Sequence, residues 1–231
     1  MNRKDLVKYI HAFTLGDGSL IIDKREIEFN PHPKAVFSTV KTEVNKDFID
    51  YAESILKELT EVKVTYTTPK IGTGTKPYYR LYTRRHPLYT SIRDRMYIDN
   101  KKVVDPHYLT LMDWETLAIL FMDDGTTWNI KDKKPYGTYD YTCCNICTQS
   151  FSYGDNLILA EAIKEKLDIH FYVRHQNLKS GIKYFLELSR KDNQKFSDGV
   201  GKYVLPSFYY KINKFNMTNS EKSDDDIVWT T

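Results

Sequence analysis

The chain has 231 residues, 34 Lys+Arg against 31 Asp+Glu, and is 41% hydrophobic and 14% aromatic, which suits one large domain or two of about 100 residues with a real core. Its longest apolar run, residues 117–122, is far short of the roughly 20 residues that span a bilayer, and the alternating charged and apolar start reads as no signal peptide. Three cysteines, Cys143, Cys144 and Cys147, are odd in number and crowded together; they cannot frame a secreted mini-protein and point to an intracellular, reducing compartment. Membrane protein, disulfide scaffold and disordered chain are excluded.

In chain order, residues 4–16 carry helical apolar spacing through Leu6, Ile10 and Phe13 and end at Gly16-Asp17-Gly18. Strands are predicted over 19–29 and 34–42, and a helix over 45–59 with Phe48, Ala52, Ile55, Leu56 and Leu59 on one face. Strands over 62–69 and 77–85 flank the turn residues Gly72-Thr73-Gly74, and a short helix follows over 86–96. The order then repeats. A helix capped by Asp113 runs to Asp123-Asp124-Gly125, followed by strands at 126–130 and 138–149 and a helix at 153–167. Strands at 169–177 and 182–190 and a helix at 192–201 complete the second set.

Each half is therefore αββαββα, and Asp17 and Asp124 stand 107 residues apart, about one half-length. The expected division is 1–104, 105–215 and a tail over 216–231, which is acidic and expected to be disordered. The tail conceals charge: the net +3 of the whole chain becomes +6 over residues 1–215. That modest basic excess suits a polyanionic partner and equally many ordinary soluble proteins.

Several strands alternate an apolar face with a face rich in Arg, Tyr, Gln, His and Lys. Tyr79, Leu81 and Thr83 oppose Arg80, Tyr82 and Arg84; Ile169, Phe171 and Val173 oppose His170, Arg174 and Gln176. Such polar side chains hydrogen-bond base edges and phosphates, although a solvated antiparallel sheet gives the same alternation. Periodicity leaves both readings open.

The two Asp-Gly helix ends are more telling. Glycine is common there in the left-handed conformation. An aspartate faces the negative end of the helix dipole, at a cost of about 0.3–1 kcal/mol at an exposed site. Two of them, one opening each half, suggest a cation between them, and Mg2+ is held by one or two carboxylates together with water and substrate phosphate. Unsatisfied helix-terminal carbonyls are further oxygen donors.

These segments, IHAFTLGDG at 10–18 and LAILFMDDG at 117–125, resemble the LAGLIDADG motif, and the chain resembles a single-chain, two-motif LAGLIDADG homing endonuclease. The likeness takes in DNKKVVDP before the second motif, TQSF at 148–151 and LPSFYYKIN near the C-terminus. The second copy is the closer match; the first has His11 and Ala12 at its second and third positions and Gly16 before Asp17.

The resemblance implies an α+β fold of two pseudo-twofold-related halves, whose antiparallel sheets form a DNA-binding saddle and whose motif helices meet at the interface. It implies that Asp17 and Asp124 are catalytic metal ligands, that the carbonyls of Gly16 and Asp123 are further ligands, and that Lys102 and Lys211 flank the scissile phosphates. Gln149 is a weaker candidate near the metals. The implied cofactor is Mg2+, with Mn2+ as a substitute. The implied activity is phosphodiester hydrolysis on both strands, leaving short 3′ overhangs.

Candidates for DNA contact, by sheet face, are Lys24, Lys63, Arg80, Tyr82, Arg84, Arg174, Gln176 and Lys183. Two sheets of nine-residue strands end to end cover about 60–65 Å, or on the order of 18–20 base pairs of double-stranded DNA. The expected state is a monomer with no membrane association, in a phage-infected cell or an organelle. The alternative on the same fold is an intron maturase that binds intron RNA. A transcriptional regulator would be expected to lose an acid and to add a helix-turn-helix. Zinc at Cys144-x-x-Cys147 lacks a second ligand pair.

Overall fold

The computed structural model describes residues 1–69, 76–134 and 137–215. The Gly72-Thr73-Gly74 turn and the acidic tail lie outside the described residues. No helix among the described residues is long and apolar enough to cross a membrane.

Helix α1 (Arg3–Leu15) starts where the Asn2 side chain accepts from the Asp5 N–H, a cap contributing about 1 kcal/mol. Strand β1 (Ser19–Ile21) follows, then α2 (Lys24–Phe29), β2 (Val36–Thr42), α3 (Lys46–Leu56), β3 (Val62–Thr67), β4 (Tyr78–Thr83) and α4 (Pro87–Met96). A small hairpin, β5 (Tyr97–Ile98) and β6 (Lys101–Lys102), turns through Asp99 and Asn100, both at positive φ as its tight turn requires. It leads to the short α5 (Pro106–Leu109).

The second set is α6 (Trp114–Asp124), β7 (Gly125–Lys134), β8 (Gly137–Ile146), α7 (Tyr153–Leu167), β9 (Phe171–Leu178), β10 (Gly181–Leu188), α8 (Asn193–Gly201) and α9 (Tyr209–Ile212). Capping boxes open two of these helices: Asp113 with Thr116 for α6, and Ser152 with Asp155 for α7.

The two four-stranded antiparallel sheets have one topology, β1-β2-β4-β3 and β7-β8-β10-β9. One face of each packs on helices. In β4 and β9 the core positions are Leu81, Thr83 and Phe171, while Arg80, Arg174 and Gln176 are exposed. The α+β class and the alternation agree with the sequence reading.

Between the sheets α1 packs against α6. Residues 116–122 of α6 are all buried, so this helix is apolar all round and forms the centre of the core. At its start the interface is polar: Lys8 Nζ lies 2.8 Å from Asp113 Oδ2, and the Tyr9 and Tyr51 hydroxyls donate to Glu115 at 2.6 and 2.8 Å. Burial, reinforced by Glu115, pushes the Tyr9 phenol up to about 12, so it stays a donor.

Two expectations are corrected. The strand predicted over 19–29 ends at Ile21, because the Asp23 carboxylate accepts from the Arg25 N–H at 2.8 Å and its carbonyl from the Ile27 N–H, which starts α2. The motif glycines are not left-handed caps: Gly16 has φ −83° and Gly125 φ −75°. Their role is close approach. A Cβ on Gly18 would stand 2.7 Å from the Phe37 ring, one on Gly125 would collide with the Phe121 ring and carbonyl, and one on Gly16 would collide with the Asp123 carboxylate.

Candidate active site

The α1–α6 interface ends in three carboxylates. Asp17 follows the last turn of α1, with a side chain 53% exposed, while Asp123 and Asp124 close α6. Asp123 reaches across to the other helix: its side chain is 1% exposed, packs where Gly16 has none, and accepts from the Asp17 N–H at 3.1 Å. Asp124 feels both neighbours. Burial first, then the charges of Asp17 and Asp123, push its carboxyl up to about 7.

Three lysines gather around them. Lys41, on β2, places Nζ 2.6 Å from Asp17 Oδ2 and ion-pairs with Asp123 Oδ1. Its side chain is 7% exposed, and the two carboxylates outweigh burial to hold its pKa above the ordinary lysine value. Lys102, on β6, donates to the Gly16 carbonyl at 2.6 Å; burial lowers its pKa against the opposing pull of Asp124, Asp17 and Asp123. Lys211, on α9, is buried behind α6 and donates to the Met122 carbonyl at 2.6 Å and the Phe121 carbonyl at 3.2 Å, and burial brings it down to about 8. Lys102 thus caps the Gly16 carbonyl at the end of α1 and Lys211 the Met122 carbonyl in the last turn of α6, while the Phe121 carbonyl also accepts from the Gly125 N–H.

A hard divalent cation fits this donor set. The Asp17 and Asp124 carboxylates and the Gly16 carbonyl are hard oxygen donors, and the ionisation of Asp124, suppressed first by burial and then by the charges of Asp17 and Asp123, is one that a cation would favour.

Asp17, Asp123, Asp124, Gly16 and Lys102 therefore come together at one end of the interface, and Lys211 supports the end of α6. Gln149 follows β8, next to the buried Thr148, and is half-buried. Sequence reasoning missed Lys41 and the Asp123 carboxylate, having considered only the Asp123 carbonyl. The signal for Lys41 was its phase: it follows Phe37 and Thr39 on the buried side of β2.

The proposed contact residues divide between the sheets. Lys63 pairs in register with Tyr82 and places Nζ 5.8 Å from its ring centroid, and Arg80 is exposed on the same face. Arg84, just beyond β4, is ion-paired with Glu61 at 2.7 Å. On the other sheet Gln176 pairs with Lys183, and Arg174 donates to Glu187 at 3.1 and 3.2 Å. The Lys24 side chain lies outside the described residues.

The sequence pattern of the LAGLIDADG DNA endonuclease family matches residues 13–196. Among solved structures, the homing endonuclease I-WcaI bound to its DNA recognition sequence is similar at TM-score 0.67 and 20% identity, over 90% of this chain and 85% of that one. The meganuclease I-SmaMI bound to uncleaveable DNA is similar at TM-score 0.56 and 11% identity, over 91% and 87%. I-DmoI in complex with DNA and Mn is similar at 0.53 and 16%, over 86% and 97%. At these identities the likeness is one of fold. The family match spans well over half of the sequence and includes both motif acids, so the chain belongs to the LAGLIDADG DNA endonuclease family.

Proposed function

We propose that this protein is a Mg2+-dependent, site-specific endonuclease that cuts both strands of a long, asymmetric DNA target and leaves short 3′ overhangs. One observation carries the reading: two motif helices, one from each half, end side by side with their aspartates in a single charged cluster. Similar folds solved with DNA, one of them with Mn, support duplex DNA as substrate and a divalent ion as cofactor.

The halves 1–104 and 105–215 each contribute one acid and one sheet. Asp17 and Asp124 would hold the cations, with the carbonyls of Gly16 and Asp123 as further donors. A divalent ion bound there would supply activation of water and stabilisation of charge on the leaving oxygen. Lys102, whose ammonium is drawn toward all three aspartates, offsets phosphate charge at the N-terminal acid. Lys211 holds the last turn of α6 so that Asp124 keeps its position.

Strands of eight to ten residues in the C-terminal sheet are about 26–33 Å long, and β2, β3 and β4 of the N-terminal sheet, with six or seven residues, about 20–23 Å. In line the two sheets cover about 46–56 Å, or roughly 14–16 base pairs, shorter than the roughly 18–20 expected from nine-residue strands. Arg80, Tyr82 and Lys63 on one sheet, and Arg174, Gln176 and Lys183 on the other, face that duplex. Arg84 and Arg174 exchange Glu61 and Glu187 for phosphates. Unlike sheets make an asymmetric site, which suits a monomer, and the three free cysteines suit a reducing intracellular compartment.

Selection of cleaved sites from a randomised duplex library with Mg2+ tests the reading. A single long asymmetric motif is expected. Specific RNA binding with no DNA cleavage under any divalent ion would replace it with the maturase alternative.

A further inference from the structure

The motif acids have unlike surroundings. Lys41 is held from two sides, by Asp17 Oδ2 at 2.6 Å and by the Asp123 carboxylate. The residue that stands as far after Asp124 as Lys41 stands after Asp17 is Thr148. It is buried, and its hydroxyl is engaged by the Asn156 side chain. No salt bridge to Asp124 is found among the described residues, whereas Asp17 has one.

The two arms of the Lys41 bridge also differ. Lys41 and Asp123 have side chains 7% and 1% exposed, and separating such a pair strands a buried charge. Asp17 is half-exposed, and its arm is the replaceable one. Gly16 across the interface has no side chain, and the Asp123 carboxylate occupies the room this leaves. Asp123 is thus a positioning residue that anchors the Lys41 ammonium beside Asp17.

Resting on the assignment of Asp17 and Asp124 as the cation-holding acids, we propose that Lys41 is a tethered counter-ion that makes the two strand-cutting centres unequal. Its ammonium neutralises Asp17 in the metal-free protein and competes there with an incoming divalent cation, while among the described residues no ammonium is ion-paired directly with Asp124, which Lys41 and Lys102 attract only at longer range. The centre at Asp17 therefore fills last. At limiting metal one strand is cut before the other and a nicked intermediate accumulates. Because Asp123 retains Lys41 after Asp17 lets go, the positive charge stays beside the same centre throughout.

The test compares wild type, Lys41→Met and the double variant K41M/D123A; the double variant removes both members of the buried pair and so leaves no stranded acid. Mn2+ is titrated calorimetrically into each protein bound to a cleavage-resistant form of the selected duplex, and nicked plasmid is followed at limiting Mn2+. Wild type should bind Mn2+ in two unequal steps. In the double variant the weaker step should tighten about five- to tenfold, the worth of one half-exposed ion pair, and the nicked intermediate should fade. Two equal steps in wild type, or unchanged steps and nicking in the double variant, would overturn the inference and leave the nuclease reading standing. Absence of cleavage by wild type with any divalent ion would remove both.

Discussion

The two halves share a strand order and differ in how they finish it. In the C-terminal half β7 and β8 are ten-residue strands paired from Gly125–Ile146 out to Lys134–Gly137. In the N-terminal half the corresponding hairpin pairs over three residues only, and the chain between its strands forms α2, with Ile27 and Phe29 exposed. The ends of the motif helices differ as well: Lys102 takes the Gly16 carbonyl from the open side, while Lys211 takes the Met122 carbonyl from within the core. Topology is fixed by burying one face of each sheet under helices, and both halves obey it. The hairpin tips and the charges around the acids are free of that constraint, and there the halves diverge.

The largest expected effect is common to both halves. Asp17→Asn and Asp124→Asn should each reduce double-strand cutting by at least about a thousandfold, on the scale of removing an essential electrostatic group from an active site. If each acid serves one strand, each variant leaves a nick, seen by resolving labelled strands.

Next is an effect confined to one half. Lys41→Met strands the buried Asp123 carboxylate and should cost about 3–5 kcal/mol of stability in urea unfolding, with most of it recovered in K41M/D123A. No recovery would mean that Asp123 is not the partner that matters.

A pH dependence belongs to the other half. The Asp124 carboxyl titrates near 7 in the folded protein, above its unfolded value near 4, so the folded state binds more protons between them. Its stabilising contribution is complete below about pH 4 and lost as pH rises through 7. Metal-free Asp124→Asn should therefore exceed wild type in stability at pH 8 by about 2–4 kcal/mol, and the two should converge toward pH 4.

Smaller effects test the shared packing. Gly18→Ala and Gly125→Ala place a methyl against Phe37 and Phe121 and should cost about 1–3 kcal/mol each, whereas Gly154→Ala, facing open space at the start of α7, should be neutral or slightly stabilising. Smallest is Arg174→Ala, which should lower the salt slope of DNA binding by about one unit; a larger fall for Arg84→Ala would show that the N-terminal sheet carries more of the phosphate contact.

Much of this was legible in the sequence. Helix α7 and the faces of β4 and β9 follow from apolar spacing because each buries one side only, whereas α1 shows that spacing in its first half and is buried all round from Ile10 to Leu15. The segment 23–29 misled because Ile27 and Phe29 alternate with Glu26 and Glu28 as in a strand, while the Asp23 cap that starts α2 is a single local hydrogen bond without periodicity. Helix α5 is too short for a period, although its Asp105-Pro106 start is a cap signal. Asp17 and Asp124 stood out by sitting at the wrong end of a helix dipole. The Lys41–Asp123 pair joins residues distant in sequence, and only the phase of Lys41 in β2 hinted at it.

The central claim is that Asp17 and Asp124 hold divalent ions against opposite strands of a duplex. Anomalous scattering from Mn2+ in crystals of the protein with its selected target tests it most directly. Density against both carboxylates, each peak also touching a scissile phosphate, is the predicted result. Manganese bound elsewhere, or at neither acid with the duplex in place, would contradict the account.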